Sequence, residues 1–274
     1  MLRGGMGKML LKFNCISNEK CNKCYFNKSC IVKKIMSPQL GFYPPFTPKG
    51  STTSLFIIEC FDEKTNYYLG DIIEFNMIIF GQAIVYINEI INAFKNLGKS
   101  GIASGSKKYN LIGIYNELNY PIYEKEHINK NNLLIFTLQD YINHRKIQIN
   151  SIDNIRFITP FRFVKNGQLT GEINFTDIVI SVYRKLILLN ALENIEVEYN
   201  IPDIKGDLLT LNSRWVDIKR YSNRQKRGMK FGGVISKFAF SEEINSILDY
   251  IIACELVHIG KNTSFGLGKY IINS

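Results

Sequence analysis

The sequence of 274 residues lacks any apolar run of about 18 residues, the length that a helix needs to cross a bilayer. Its first residues also lack the continuous hydrophobic core of a signal peptide. We therefore expect a cytoplasmic protein of a prokaryote. Histidine is scarce as well, with only three residues that could transfer protons near neutral pH: His127, His144 and His258.

Acidic residues are the minority, with 24 Asp and Glu against 34 Lys and Arg. The net charge of +10 and the sequence pI near 9.2 favour an anionic partner, either a nucleic acid or an acidic membrane surface. The apolar fraction of 46% is ordinary for a globular core and argues against disorder.

Four of the six cysteines lie within sixteen residues near the start of the chain. They are Cys15, Cys21, Cys24 and Cys30. Thiols in the cytosol are kept reduced, so a cluster of this kind more often binds metal than forms disulfides. The spacing predicts a structural zinc ion held by four thiolates, and it leaves an iron–sulfur cluster open as the alternative.

The hydrophobic periodicity predicts an α+β protein. Helices are predicted over 2–14, 85–97, 175–192 and 242–257, and strands over 53–61, 71–80, 110–115, 152–164, 209–221, 231–240 and from 270. The second half has the order βαββαβ of a ferredoxin-like (RRM-like) unit, and the first half has the same order without its opening strand. We therefore predict two tandem ferredoxin-like domains, 1–118 with the cysteine segment inserted and 151–274, joined by a linker over 119–150. The linker is expected to add a strand over 133–136 and a short helix over 138–144.

A glycine-rich loop follows the last predicted helix. Gly260, Gly266 and Gly268 stand there with Lys261 and Lys269. Glycines allow positive φ and close approach, and exposed N–H groups beside lysines suit a phosphate group. The alternative is a helix C-cap followed by a tight turn, which would explain Gly260 alone.

A similar arrangement occurs once more in the first half of the chain. Gly98-Lys99 to Lys108-Tyr109 aligns with Gly260-Lys261 to Lys269-Tyr270, and both stretches lie between a predicted helix and a predicted strand. This alignment indicates an internal repeat.

The segment 214–230 between two predicted strands is strongly basic, with seven Arg or Lys among seventeen residues and one Asp. Cations that bind phosphate, interleaved with aromatic side chains, are typical of RNA binding, whereas the alternative is a solvated hairpin tip. The predicted RNA contacts are Arg214, Lys219, Arg220, Tyr221, Arg224, Gln225, Lys226, Arg227 and Lys230.

Three stretches resemble the RAMP superfamily of CRISPR-associated proteins, and in particular its precursor-crRNA processing endoribonucleases. The first is Arg3-Gly4-Gly5-Met6-Gly7 followed by the cysteine cluster. The second runs from Arg220-Tyr221-Ser222 to Gly232-Gly233, and the third from His258-Ile259-Gly260-Lys261 to Gly268.

The resemblance implies binding of CRISPR repeat RNA and its cleavage without metal. The 2′-hydroxyl would attack the scissile phosphate and leave a 2′,3′-cyclic phosphate and a 5′-hydroxyl. It also implies RNA contacts from Arg3 and the glycine loop. Such a reaction needs a base, an acid and cations that stabilise the phosphorane charge.

Two residues are candidates for this chemistry. His258 is either the acid or base, or a residue that caps the helix carbonyls or packs beneath the loop. Lys8 stands where the family commonly has a histidine, and it suits charge stabilisation better than proton abstraction because an unperturbed lysine stays protonated. Two alternatives remain: a non-catalytic RAMP subunit that binds crRNA beside other CRISPR effector subunits, and a metal-cluster DNA-binding protein.

Overall fold

A computed structural model describes residues 1–17, 21–48, 53–62, 64, 66–102, 107–222 and 227–274. The helices are α1 (Leu2–Asn14), α2 (Ile31–Met36), α3 (Ile87–Ser100), α4 (Leu138–Lys146), α5 (Phe175–Leu192) and α6 (Leu248–Val257). The strands are β1 (Phe56–Glu59), β2 (Asn76–Ile79), β3 (Gly113–Tyr115), β4 (Pro121–Glu124), β5 (His127–Ile128), β6 (Asn154–Phe157), β7 (Phe163–Lys165), β8 (Gln168–Thr170), β9 (Leu208–Ser222), β10 (Arg227–Phe240) and β11 (Tyr270–Asn273). The predicted α+β class, with antiparallel sheets, is confirmed.

The chain divides into two compact units. The first contains Met1–Leu40, Lys49–Ile58 and Ile73–Phe136, and the second contains Gly41–Pro48, Glu59–Ile72 and Thr137–Ser274. The segment 119–150, predicted as a linker, therefore contributes to both units. None of the described helices is both long and apolar enough to span a membrane.

The core of the first unit lies where α1, α2 and α3 pack against β1. Met6, Met9 and Leu10 repeat at helical spacing, and all three are buried. Gly5 lets α1 approach α3 closely, because a Cβ atom there would lie 2.6 Å from Leu97 Cδ2. The strands form two small sheets, β1–β2 and β3–β4–β5.

Two predictions for the first half and the linker are wrong. No strand forms over 133–136, where Leu134, Ile135 and Phe136 are exposed and have no ladder partner. Gly98 and Lys99 lie inside the last turn of α3 instead of in a loop after it, and the left-handed region is reached only at Gly101, with φ of 83°. The two aligned glycine stretches therefore begin with different local structures.

The second unit contains a four-stranded antiparallel sheet in the order β11-β6-β10-β9. Its chain order is β6, α5, β9, β10, α6, β11, with the β7–β8 hairpin following β6. The strand predicted over 152–164 is interrupted, because β6 ends at Phe157 and Pro160 has no N–H to donate to a ladder. Phe161 then forms an isolated bridge with Val234 of β10.

Aromatic side chains fill the core of this unit. Phe157 stacks on Phe161 with ring centroids 4.6 Å apart and meets Phe238 and Tyr270 edge-on at 6.1 Å and 5.4 Å. Beside them, α6 packs against α4, α5 and β11. A buried Glu255 on α6 joins these elements, since it accepts hydrogen bonds from Arg145 Nε at 2.9 Å and Ile272 N at 2.9 Å.

Gly98 offers a test of the packing of α3. A Cβ atom at this position would lie 2.3 Å from the carbonyl oxygen of Tyr109. Gly98→Ala should therefore lower the free energy of unfolding by about 1–3 kcal/mol, the usual cost of forcing extra atoms into a packed site. Gly4→Ala is the matched control on exposed α1 surface and should raise it by about 0.5–1 kcal/mol. Chemical denaturation measures both, and a Gly98→Ala variant as stable as the parent protein would contradict the prediction.

Candidate nucleic-acid interface

The glycine loop connects α6 to β11 through a series of residues with positive φ. α6 ends at Val257, and His258 follows with φ of 57° and ψ of 156°. Asn262, Gly266 and Gly268 have φ of 66°, 79° and 75°. The loop is closed at its base by a hydrogen bond of 3.2 Å from Ile259 N to Gly268 O.

Two of the loop glycines are required by close contacts with neighbouring backbone. A Cβ atom at Gly260 would lie 2.7 Å from the carbonyl oxygen of Arg162, and one at Gly268 would lie 1.8 Å from that of Ile259. Gly260 and Lys261 are exposed, whereas Gly266 and Gly268 are buried. The last two therefore serve the packing of the loop and offer no exposed surface for the RNA contact predicted for them.

A buried carboxylate binds residues at both ends of the loop. Glu59, the last residue of β1, is 5% exposed. Its Oε1 lies 2.7 Å from His258 Nε2 and 3.1 Å from Lys269 Nζ. Burial on its own would raise the pKa of Glu59, but the hydrogen bond from His258 and the charge of Lys269 lower it to about 2. Glu59 is therefore ionised throughout the physiological range.

The side chain of His258 is fully buried, and both ring nitrogens face acceptors. Nδ1 lies 3.1 Å from the carbonyl oxygen of Leu267, and Nε2 faces Glu59. Burial lowers the pKa of His258, and the Glu59 carboxylate opposes that shift. A general acid or base must reach the proton that it transfers. In this conformation the ring instead holds the loop, which is the second of the two roles left open by the sequence.

Lys185 on α5 also contacts the loop. Its Nζ donates a hydrogen bond of 3.3 Å to Thr263 Oγ1. Burial lowers the pKa of Lys185 to about 8 and raises the pKa of the neighbouring Cys254 thiol to about 12. The loop is therefore in contact with a lysine whose charge is present below about pH 8 and lost above it.

Arg162 joins the loop to β10. Its Nε donates a hydrogen bond of 3.0 Å to Asn262 Oδ1, and its Nη1 donates to the carbonyl oxygen of Gly232. Its own carbonyl oxygen accepts a hydrogen bond of 2.9 Å from Lys261 N. The guanidinium lies over the ring of Phe231, with Cζ 5.2 Å from the centroid.

The basic segment forms the end of a long hairpin, in which β9 and β10 pair from Arg227↔Ser222 to Phe240↔Leu208. Arg214 and Trp215 are exposed on β9, and Trp215 Nε1 donates a hydrogen bond of 3.1 Å to Asp217 Oδ1. Lys219, Arg220, Tyr221, Arg227 and Lys230 belong to the paired strands, and their side chains lie outside the described part. Arg224, Gln225 and Lys226 lie outside the described residues altogether.

The two site residues predicted near the start of the chain belong to α1 of the first unit. Arg3 Nη2 donates a hydrogen bond of 2.9 Å to Ser54 Oγ, and its Cζ lies 5.9 Å from the ring centroid of Phe56. Lys8 is exposed on the helix, between the buried residues Met6 and Met9. Of these two cations, Lys8 is the one that presents its side chain to solvent.

The four clustered cysteines do not form a ligand set here. They are free thiols of intermediate burial, distributed between the end of α1 and the start of α2. Within the described ranges, no group of three or more His, Cys, Asp or Glu side chains is arranged to hold a metal ion. The zinc ion or iron–sulfur cluster therefore stays a prediction from the cysteine spacing.

Three residues of the loop environment were missed by sequence reasoning: Glu59, Arg162 and Lys185. Glu59 ends the apolar run 55–59, Arg162 is the single charged residue of the aromatic run 161–164, and Lys185 stands next to Arg184 in the apolar run 178–189. Such a residue is costly to bury without a partner, so its presence in a predicted core element is a usable signal. The signal does not identify the partner.

Comparison with known proteins agrees with the motifs. The family model "CRISPR-associated endoribonuclease Cas6" matches residues 155–270, and a family described only as an "N-terminal domain" matches residues 1–133. An uncharacterized protein of Archaeoglobus fulgidus is 25% identical over 281 residues, covering 99% of this chain and 90% of that protein. A product complex of a Thermus thermophilus Cas6 covers 99% of this chain and 92% of its own, with 12% identity and a TM-score of 0.51, a likeness of fold alone.

The matched range begins in β6, contains the basic hairpin and ends after the glycine loop. The second unit is thus similar in sequence to a CRISPR-associated endoribonuclease domain. The matching family is of Cas6 type, which confirms the resemblance carried by the second and third motifs.

Glu59→Gln should lower the free energy of unfolding by about 3 kcal/mol at pH 7. A pKa lowered from 4.5 to about 2 corresponds to this amount, at about 1.4 kcal/mol per unit. Between pH 4.5 and 2 the Glu59 carboxyl is protonated in the unfolded chain and ionised in the folded chain. The contribution of Glu59 to the free energy of unfolding therefore falls as the pH drops through that window. Denaturation curves from pH 7 to pH 3 should show a weaker acid dependence for Glu59→Gln than for the parent protein. Exposed Glu172→Gln is the control, and equal losses in the two variants would contradict the assignment.

Proposed function

We propose that this protein binds CRISPR repeat RNA and processes precursor crRNA as a metal-independent endoribonuclease. The observation that carries the proposal is the Cas6 family match over residues 155–270, which includes both the basic hairpin and the glycine loop. Arg162 joins these two parts, since it bonds to Asn262 of the loop and to Gly232 of β10.

We also propose that both halves derive from a ferredoxin-like unit. The chain order and the strand order β11-β6-β10-β9 of the second unit support this. The first half carries α1, β1, β2, α3 and β3 in the predicted order, although its strands form separate small sheets.

The RNA backbone is bound by the basic hairpin and by the exposed part of the loop. Lys261 and Gly260 are exposed beside each other, and Arg214 with Trp215 offers a cation and an aromatic face on β9. Arginine and lysine side chains bind phosphate oxygens, whereas aromatic rings stack on unpaired bases. The remaining basic residues of 214–230 are proposed from the sequence alone to add cations to this surface.

In the proposed reaction, the ribose 2′-oxygen attacks the adjacent phosphorus and loses its proton to a base. The bond from phosphorus to the 5′-oxygen breaks, and that oxygen takes up a proton. The products are a 2′,3′-cyclic phosphate and a 5′-hydroxyl. Lys8, charged and exposed on α1, is proposed to stabilise the negative charge that develops on the phosphorane. His258 is proposed to act by holding the loop through Glu59 and Leu267.

A second candidate function is supported by the burial of His258. The His258 ring has no exposed surface and both of its nitrogens face acceptors of the protein, so in this conformation it reaches no bound RNA. In this alternative, the protein is a non-catalytic RAMP subunit that binds crRNA in an effector complex with other CRISPR proteins. It would bind repeat RNA and release no product.

Cleavage of repeat RNA in EDTA separates the two functions. The parent protein should cut at one position and leave a cyclic phosphate, detected by its conversion with acid to a 2′- or 3′-monophosphate. Lys8→Ala should lower the single-turnover rate constant by about 100-fold, the usual effect of removing one group that stabilises transition-state charge. His258→Ala should weaken RNA binding more than it lowers the rate at saturating protein.

The control for Lys8 is Lys12→Ala, which removes another exposed lysine from the same helix and should keep the parent rate. Tight RNA binding without cleavage would favour the non-catalytic subunit. A rate constant that falls equally in the Lys8 and Lys12 variants would contradict the role of Lys8.

A structural metal ion in the cysteine segment is a separate proposal, supported by the spacing of the four thiols and not by their described arrangement. Zinc, or iron as the alternative, should be present at about one ion or cluster per chain in protein purified without chelator. Cys21→Ser should lose the metal and lower the melting temperature, with cleavage affected only through stability. Metal analysis that finds neither zinc nor iron would remove the proposal.

A further inference from the structure

Arg162 combines deep burial with a fixed orientation. The residue is 9% exposed, and two of its three guanidinium nitrogens are bonded to Asn262 and Gly232. The ring of Phe231 supports the guanidinium, and that ring in turn meets Phe265 of the loop edge-on, with centroids 5.2 Å apart. The plane of the guanidinium is therefore held by both the loop and β10.

Its positive charge has no carboxylate partner in the described part of the chain. The ion pairs there do not include Arg162, and both hydrogen-bond acceptors of its side chain are neutral oxygens. Asp217 attracts the Arg162 charge without forming an ion pair with it, and Asp217 Oδ1 accepts a hydrogen bond from the indole N–H of Trp215. A buried guanidinium remains protonated, so the charge persists at physiological pH.

The third nitrogen, Nη2, is available to a ligand. It takes part in none of the hydrogen bonds that the structure gives for Arg162. An Nη2 atom that was both buried and unbonded would count among the buried side-chain atoms without a partner. In the described residues those atoms are Asn88 Oδ1 and Arg184 Nε, so Nη2 is accessible to solvent. Nη2 therefore reaches the protein surface while the rest of the side chain is immobilised.

We infer that Arg162 binds a backbone phosphate of the RNA through Nη2, at the junction of the glycine loop and β10. This inference rests on the proposed function and adds a residue to its RNA site. The ligand is a phosphodiester, because an unpaired guanidinium with a free N–H edge selects an oxyanion.

The surroundings support an anion at this place. Lys261 is exposed, and its backbone N–H is bonded to the Arg162 carbonyl oxygen, so the residue paired with the Arg162 backbone carries a second cation. Gly260 is exposed and lets the loop backbone lie directly against Arg162, since a Cβ atom there would be 2.7 Å from the Arg162 carbonyl oxygen. The fixed orientation of Arg162 also reduces the rotamer entropy that an arginine ordinarily loses on binding phosphate.

A purely structural role for Arg162 is the competing explanation, since its loss would also release the loop from β10. The two roles differ in the salt dependence of RNA binding. Each phosphate contact on a single strand contributes about 0.7 to the slope of log K against log salt concentration, because counterions are released. A structural tie lowers affinity without changing that slope.

The test uses the full-length protein and repeat RNA with a 2′-deoxy substitution at the scissile nucleotide, so that binding is measured without cleavage. Arg162→Gln keeps hydrogen-bonding capacity and removes the charge, and it should lower affinity about 10-fold and the slope by about 0.7. Arg162→Lys keeps the charge and should retain the parent slope with intermediate affinity. Arg156→Gln is the control, an exposed arginine on β6 of the same unit, and should change neither quantity.

An affinity loss in Arg162→Gln with the parent slope would overturn the inference in favour of a structural tie, and unchanged affinity would overturn it as well. Melting temperatures of the variants, measured alongside, identify losses of affinity that come from unfolding. If Arg162→Gln is unfolded at the assay temperature, Arg162→Lys takes its place. A lower slope of log K against log salt concentration in Arg162→Lys would then overturn the inference. Parent protein that binds no repeat RNA would overturn the proposed function together with this inference.

Discussion

The buried carboxylate of Glu59 is the interaction on which the glycine loop depends. It lies 2.7 Å from His258, where the loop begins, and 3.1 Å from Lys269, where the loop ends. A buried charge is costly unless it is paired, and the low dielectric of the interior strengthens the attraction between Glu59 and its two partners. The same pairing uses His258 and Lys269, two residues whose types would otherwise suggest contact with RNA, to fix the conformation of the glycine loop.

Glycine serves this site mainly by allowing segments to approach one another. Gly260 and Gly233 let the loop and β10 pack against residues 160–162, where Cβ atoms would lie 2.7 Å and 2.8 Å from backbone oxygens. Gly268 closes the loop on Ile259 in the same way. The motif glycines therefore bring the basic hairpin and the loop to one place, and Arg162 is held at the point where they meet.

The comparison of sequence and structure separates local from long-range features. Helical spacing predicted α1 and α5 closely, and alternation with a basic turn predicted the β9–β10 hairpin. The apolar run over 133–136 did not become a strand, because no neighbouring strand pairs with it in the described structure. Glu59 and Arg162 escaped notice because their partners lie 199 and 100 residues away along the chain.

The sequence by itself determined the elements and the chemistry available to them: the amphipathic helices, the cation-rich hairpin, the positions where only glycine fits and the family to which the second unit is similar. Those properties depend on side-chain periodicity, charge and backbone freedom, which act over a few residues. Only the tertiary structure decided that His258 is buried between two acceptors while Lys8 and Lys261 are exposed. Burial and partner distance depend on segments far apart in the chain, and they determine whether an ionisable side chain holds the fold or meets a ligand.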